Sequence, residues 1–173
     1  YIALLSFSTA VMFAYIASSP FIFQEHYGVS PMAYSIIFAV NAVALTIGNL
    51  LSARFKNPPK ILNYAVASLF VCSVLTGFSL IMDLSLAFLC ISLFLTLLCA
   101  GATFPISTNL ALDLEKKYKG TASAVLGAST FLIGGIVMPL SGVGNILHST
   151  CYVMIGCAAL AGITSLFANK NNQ

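Results

Sequence analysis

The side chains in this chain best able to do chemistry are amides, hydroxyls and aromatics set into otherwise apolar segments. Between Pro31 and Ala53, Tyr34, Phe38, Asn41, Leu45, Gly48 and Ser52 recur every three or four residues and so share one helical face. Ile37, Val40, Ala44, Ile47 and Leu51 give an apolar face on the same helix. Tyr15 and Ser19 lie along one side of the first segment with Tyr1 and Ser8. Gly101, Phe104, Pro105 and Thr108 cluster on one side of the fourth. Aromatic faces with a few amides suit a cavity for small amphipathic molecules, packing the apolar part and orienting the polar part. Tyr15, Ser19, Tyr34, Phe38, Asn41, Phe104 and Thr108 are therefore the candidate substrate-binding residues. The same side chains also hydrogen-bond between packed helices, at about 0.6–2 kcal/mol per contact, so each has a packing reading beside its binding one.

Other chemistries find little support. Ser129, in Gly127-Ala128-Ser129-Thr130-Phe131, lacks the closing glycine of an intramembrane serine-protease motif, and His26 and His148 fall in loops, so no buried Ser–His pair forms. There is no HExxH and no glycine-rich phosphate loop followed by lysine. Cys72, Cys90, Cys99, Cys151 and Cys157 form no CxxC pair and have no histidines at ligand spacing; they read as small apolar packing residues. No enzymatic activity, metal or cofactor is expected. A proton-coupled carrier generally needs a titratable group inside the membrane. Glu25, His26, Asp83, Asp113, Glu115 and His148 all lie near segment ends or in loops, so no obvious coupling group is present.

The composition dictates what must hold these residues. Hydrophobic residues make up 60% of the 173 positions and charged ones 6%, against about 45–50% and about 25% in soluble domains. That excludes a soluble enzyme, a nucleic-acid binder and a disordered tail, and makes a lipid bilayer the solvent. Charge-free runs long enough to cross a hydrocarbon core, which takes about 20 helical residues, predict six spans. They lie at roughly 1–23, 31–53, 61–82, 84–107, 121–145 and 150–168. Continuous hydrophobicity without sustained alternation favours helices over barrel strands. The first run has no basic leader and is followed by equally apolar runs, so a transmembrane span rather than a signal peptide is expected there. Tyr1 enters it without a preceding loop, which predicts that the sequence starts inside a longer protein.

The basic residues orient the spans. Arg54, Lys56 and Lys60 occupy the second loop, Lys116, Lys117 and Lys119 the fourth, and Lys170 the tail; the odd-numbered loops hold no Lys or Arg. The positive-inside rule makes the even-numbered loops and the C-terminus cytoplasmic. The spans also divide into two sets of three. Ile47-Gly48 matches Ile133-Gly134 and Pro20 matches Pro105, at offsets of 86 and 85 residues. A three-helix unit repeated once must be inverted in the membrane, so the expected fold is all-α, with six transmembrane helices in two inverted three-helix repeats. Gly120, Gly127 and Gly134 in the fifth span form a small-residue seam for close helix packing or for sliding during a conformational change. Pro105 and Pro139 are candidate kinks. The third and sixth spans, with weaker polar organisation, are expected at the periphery.

The run Phe13-Ala14-Tyr15-Ile16-Ala17-Ser18-Ser19-Pro20-Phe21-Ile22-Phe23-Gln24 resembles the bicyclomycin-resistance-type (Bcr/CflA) drug:proton antiporters of the major facilitator superfamily. The resemblance continues through Tyr27–Pro31, Phe38–Ala42, Ser107–Leu112 and Gly120–Gly127, in the order of helices seven to twelve of such a transporter. It covers the whole chain but half of the family's architecture. It implies one lobe of a major facilitator fold, multi-pass in the cell membrane, the bacterial inner membrane. It implies efflux of small amphipathic molecules by alternating access, with an N-terminal six-helix lobe as partner and protons coupled through that other half. In the superfamily the first, second, fourth and fifth helices of each half line the cavity, and the third and sixth are peripheral. A six-helix half-transporter acting as a dimer, and a membrane scaffold subunit that transports nothing, are the alternatives.

Overall fold

A computed structural model describes residues 1–52, 54, 58–114 and 118–170. The loop residues Lys56, Glu115, Lys116 and Lys117 and the side chain of Lys170 lie outside what it describes. Six helices follow in order: α1 (Ile2–Pro20), α2 (Pro31–Ser52), α3 (Pro58–Ile81), α4 (Leu86–Leu114), α5 (Lys119–Leu140) and α6 (Ile146–Lys170). All are long and apolar enough to cross a membrane, and the described residues contain no strand. In hydrocarbon every polar group must find a partner within the protein. Many hydroxyls here do so by donating to carbonyls one turn back, as Thr9 does to Leu5, Ser18 to Ala14 and Thr96 to Ser92.

The helix ends show what hydropathy alone misses. A π-helical turn, Phe21–His26, follows α1. Pro20 has no N–H for the carbonyl of Ile16, and the neighbouring Ser19 hydroxyl donates to that carbonyl at 3.3 Å. Pro31 opens α2 at a position where its missing donor costs nothing, with the Ser30 Oγ accepting from Ala33 N–H at 3.3 Å. The span expected at 84–107 extends to Leu114, a 29-residue helix about 43 Å long at the helical rise; Pro105 is carried inside it, and the polar run after it does not break it. The span expected at 121–145 ends early, at Leu140. Gly144 adopts a left-handed backbone, φ 73°, which glycine tolerates without strain. Asn145 Oδ1 then accepts from Leu147 N–H at 3.1 Å, capping α6 several residues before its expected start at 150.

The packing carries the repeat. Helix α1 packs on α4, α5 and α6; α4 packs on α1, α2 and α3; and α3 packs on α6. Exchanging α1 with α4, α2 with α5 and α3 with α6 maps this pattern onto itself. Because each unit has an odd number of crossings, the two units are inverted. Single contacts keep the register. Gly48 of α2 lies against the Leu98 backbone of α4, and Gly134 of α5 lies against the Phe13 ring of α1. The sequence offsets pair Gly48 with Gly134 and Phe13 with Leu98. The two copies differ in closeness: α4 also offers Gly101, packed against the Leu45 carbonyl of α2, so those backbones touch.

The third and sixth helices are partly buried within these six, 44% and 33% of their spans. They pack on each other, with Leu62, Val66, Ala158 and Ala161 buried on the two helices and Ser165 of α6 donating to Asn63 of α3. The most open helices are α2 and α5, with 22% and 17% of their spans buried against 61% for α1.

The glycines make this architecture testable. A Cβ at Gly48 or Gly101 collides with the backbone of the other helix, whereas one at Gly127 meets nothing within 4 Å. Gly48→Val or Gly101→Val is expected to lower the unfolding temperature in detergent, at a cost of about 1–3 kcal/mol or more. Gly127→Ala is expected to leave it unchanged.

Candidate functional site

The polar stripe of α2 faces inward. Asn41, Gly48 and Ser52 are buried while Val40, Val43, Ile47 and Leu50 are exposed, the reverse of a helix in water. Asn41 Nδ2 donates to Tyr15 Oη of α1 at 2.9 Å, and the two residues are 2% and 4% exposed. Accepting that bond leaves the Tyr15 O–H available as a donor. The Tyr15 ring stacks on Phe38, with centroids 6.0 Å apart and planes at 17°. Phe38 in turn meets Tyr34 at 6.0 Å, and Tyr34 meets Phe23 at 6.1 Å. Tyr34 Oη lies 2.9 Å from Ser19 Oγ.

Tyr15, Ser19, Tyr34, Phe38 and Asn41 thus form one connected group between α1 and α2. An apolar cavity of about 200 Å³ lies beside it, bounded by Tyr15, Ile16, Phe38, Asn41, Leu45 and Leu97. Ligand pockets run to roughly 300–1,000 Å³, so this volume is part of a wall rather than a whole site. Phe38, 36% exposed, is the ring a ligand could reach; Tyr15 and Asn41 sit behind it and fix its plane. Phe104 and Thr108 are not brought to this group. Thr108 Oγ1 donates to the Phe104 carbonyl at 2.8 Å within α4, and the Phe104 ring packs on the core.

Along the small-residue seam of α5, Gly134 meets Phe13, while Gly120 and Gly127 have nothing within 4 Å. Most of that stripe is therefore open surface within these six helices. Pro139 sits one residue from the end of α5. A larger opening, about 630 Å³, lies between the start of α1, the end of α4 and the start of α5, lined by Ile2, Ala111, Tyr118, Thr121, Ala122 and Val125 among others. Sequence reasoning misses it, because none of those residue types stands out and only the helix arrangement assembles them. It also misses the approach of Cys72 and Cys99, whose sulfurs are 4.0 Å apart across α3 and α4.

Charge is segregated to the two ends. Arg54, Lys60 and Lys119 are exposed at one. At the other, His26 Nε2 pairs with Asp83 Oδ1 at 2.7 Å, and Tyr27 Oη donates to the Leu84 carbonyl at 2.9 Å. Together these tie the end of α1 to the turn between α3 and α4. Burial first, and then the nearby Asp83 carboxylate, push the Tyr27 hydroxyl above its ordinary pKa. Among the described residues, no three of His, Cys, Asp or Glu gather as metal ligands.

The architecture is that of a multi-pass helical membrane protein built from two inverted three-helix units. No family model matches the chain, and no solved structure does. It is 31% identical over 171 residues to the MFS-type transporter YdgK of Bacillus subtilis (strain 168), an alignment covering 92% of this chain and 42% of that protein. The chain spans less than half the length of the curated relative it matches. The similarity is thus to part of an MFS-type transporter.

A double-mutant cycle tests the pair at the centre of the group. Tyr15→Phe leaves the Asn41 amide without its acceptor, and Asn41→Leu removes the donor. Each alone should lower stability in detergent, with a coupling energy of about 0.6–2 kcal/mol. Additive effects would mean that the 2.9 Å contact contributes nothing.

Proposed function

We propose that the chain is the C-terminal six-helix lobe of a Bcr/CflA-type major facilitator transporter. It exports drugs or small amphipathic molecules in antiport with protons, by alternating access. The observation that carries this reading is the pairing of two inverted repeats with a cavity wall too small to enclose a ligand alone. The open faces of α2 and α5 support apposition to a second lobe. In this reading Phe38 stacks on the apolar part of the substrate. Tyr15, Tyr34 and Asn41 hold its ring, and Ser19 anchors Tyr34.

The chain brings no Asp, Glu, Lys or Arg to the middle of a span, and in this reading the proton-coupling group belongs to the N-terminal lobe. In this reading the positive-inside rule assigns the even-numbered loops and the C-terminus to the cytoplasm of a bacterial cell. The large opening beside Thr121 and Val125 is then at the cytoplasmic side, where an exported substrate would enter.

The test is the full-length gene, expressed in cells lacking their major efflux systems. Substrate-dependent proton movement in inverted vesicles is expected. Phe38→Ala should lower efflux about tenfold, equivalent to about 1.4 kcal/mol of lost interaction, and Asn41→Leu should lower it by loosening the ring. Efflux unchanged by both substitutions would remove the site assignment. A gene encoding only six spans, transporting as a homodimer, would replace the two-lobe reading. Absence of any substrate-dependent movement would favour a scaffold.

A further inference from the structure

The side of the bundle away from α2 and α5 carries a second feature, which needs only that the helices cross a bilayer. Helices α3 and α6 enclose a groove of about 430 Å³, walled by Val66 and Phe70 on one side and Ile163 and Leu166 on the other. Phe70 is 37% exposed and Leu166 72%, and a Cβ on Gly162, which also lines it, would meet nothing within 4 Å. The groove is therefore open outward, toward lipid.

One end of it is polar. Ser165 Oγ donates to Asn63 Oδ1 at 2.6 Å, bridging α6 to α3. With its oxygen occupied, Asn63 has both amide N–H groups left to offer. Lys60, exposed, lies three residues earlier, on the same face of α3 and one turn nearer the loop. From Asn63 to Phe70 the apolar wall runs about 10 Å along the helix. A cation and amide donors at the membrane surface, above an apolar slot, complement a phosphodiester carrying acyl chains.

We propose that this groove binds an anionic glycerophospholipid, with its phosphate at Lys60 and the Asn63 amide and an acyl chain between Phe70 and Leu166.

Native mass spectrometry of the full-length transporter, exchanged with phosphatidylglycerol or phosphatidylcholine, tests it. The wild type should retain phosphatidylglycerol preferentially. Lys60→Gln should lower that preference about fivefold, the effect of one lysine near an anionic surface, while leaving phosphatidylcholine unchanged. Gly162→Leu fills the slot without touching the bundle and should reduce retention of both lipids. Circular dichroism and gel filtration, unchanged from wild type, would show that the variant is folded. Undiminished lipid retention by folded Gly162→Leu would overturn the proposal, as would loss of self-association in place of lipid. Because the readout is retained lipid, a failed efflux assay leaves it unaffected.

Discussion

The arrangement depends on one contact, the crossing of α2 over α4 at Gly48 and Gly101. There each glycine leaves room for the other helix's backbone, and any Cβ would force the two apart. In a bilayer no hydrophobic effect drives helices together, so close backbone approach must supply the association through dispersion and shape. One turn along α2 from Gly48 lie Ala44 and Leu45, and beyond them Asn41. The crossing thus sets how deep Asn41 sits and brings its amide to the Tyr15 hydroxyl of α1. It also sets the bottom of the cavity, where Leu45 and Leu97 meet. The aromatic series Tyr15, Phe38, Tyr34 and Phe23 is held by that placement and by Ser19.

The repeat explains why the two halves of the chain are alike in plan and unlike in detail. The counterpart crossing, α5 over α1, uses Gly134 but meets the Phe13 ring rather than a second glycine. The position equivalent to Asn41 in the second unit is Gly127, which faces open space. Polarity is therefore concentrated on α1 and α2, while α5 presents small residues. Pro20 and Pro105 diverge in the same way: one ends its α-helix in a π turn, and the other is carried inside a 29-residue helix. Duplication supplies the scaffold, and substitutions in one copy make a chemically distinct wall.

Much of this was legible from residue order. Charge-free runs mark the six spans because lipid excludes unpaired charge, and the offsets pairing Gly48 with Gly134 and Pro20 with Pro105 foreshadow the packing pattern. The stripe on α2 and its link to Tyr15 and Ser19 could be read because helical periodicity reports which side chains share a face. Periodicity cannot report which neighbour that face meets. Phe104 and Thr108 therefore looked like companions of Asn41 yet close on their own helix. The glycine seam of α5 looked like the tight contact, although the tight one is at Gly48 and Gly101. The early end of α5 depends on a left-handed turn at Gly144, which hydropathy does not register. The opening lined by Ala111, Thr121 and Val125 is made of residues unremarkable by type.

The central claim is that the surface between α2 and α5 faces an aqueous path and that between α3 and α6 faces lipid. Thiol labelling tests it most directly, in the full-length protein with its own cysteines replaced and single cysteines placed at Gly127 and at Phe70. Gly127→Cys should react with a water-soluble, membrane-impermeant maleimide and be protected by a transported compound, while Phe70→Cys should react only with a lipid-soluble reagent. Labelling of Gly127→Cys by the lipid-soluble reagent alone, unaffected by any compound, would contradict the account.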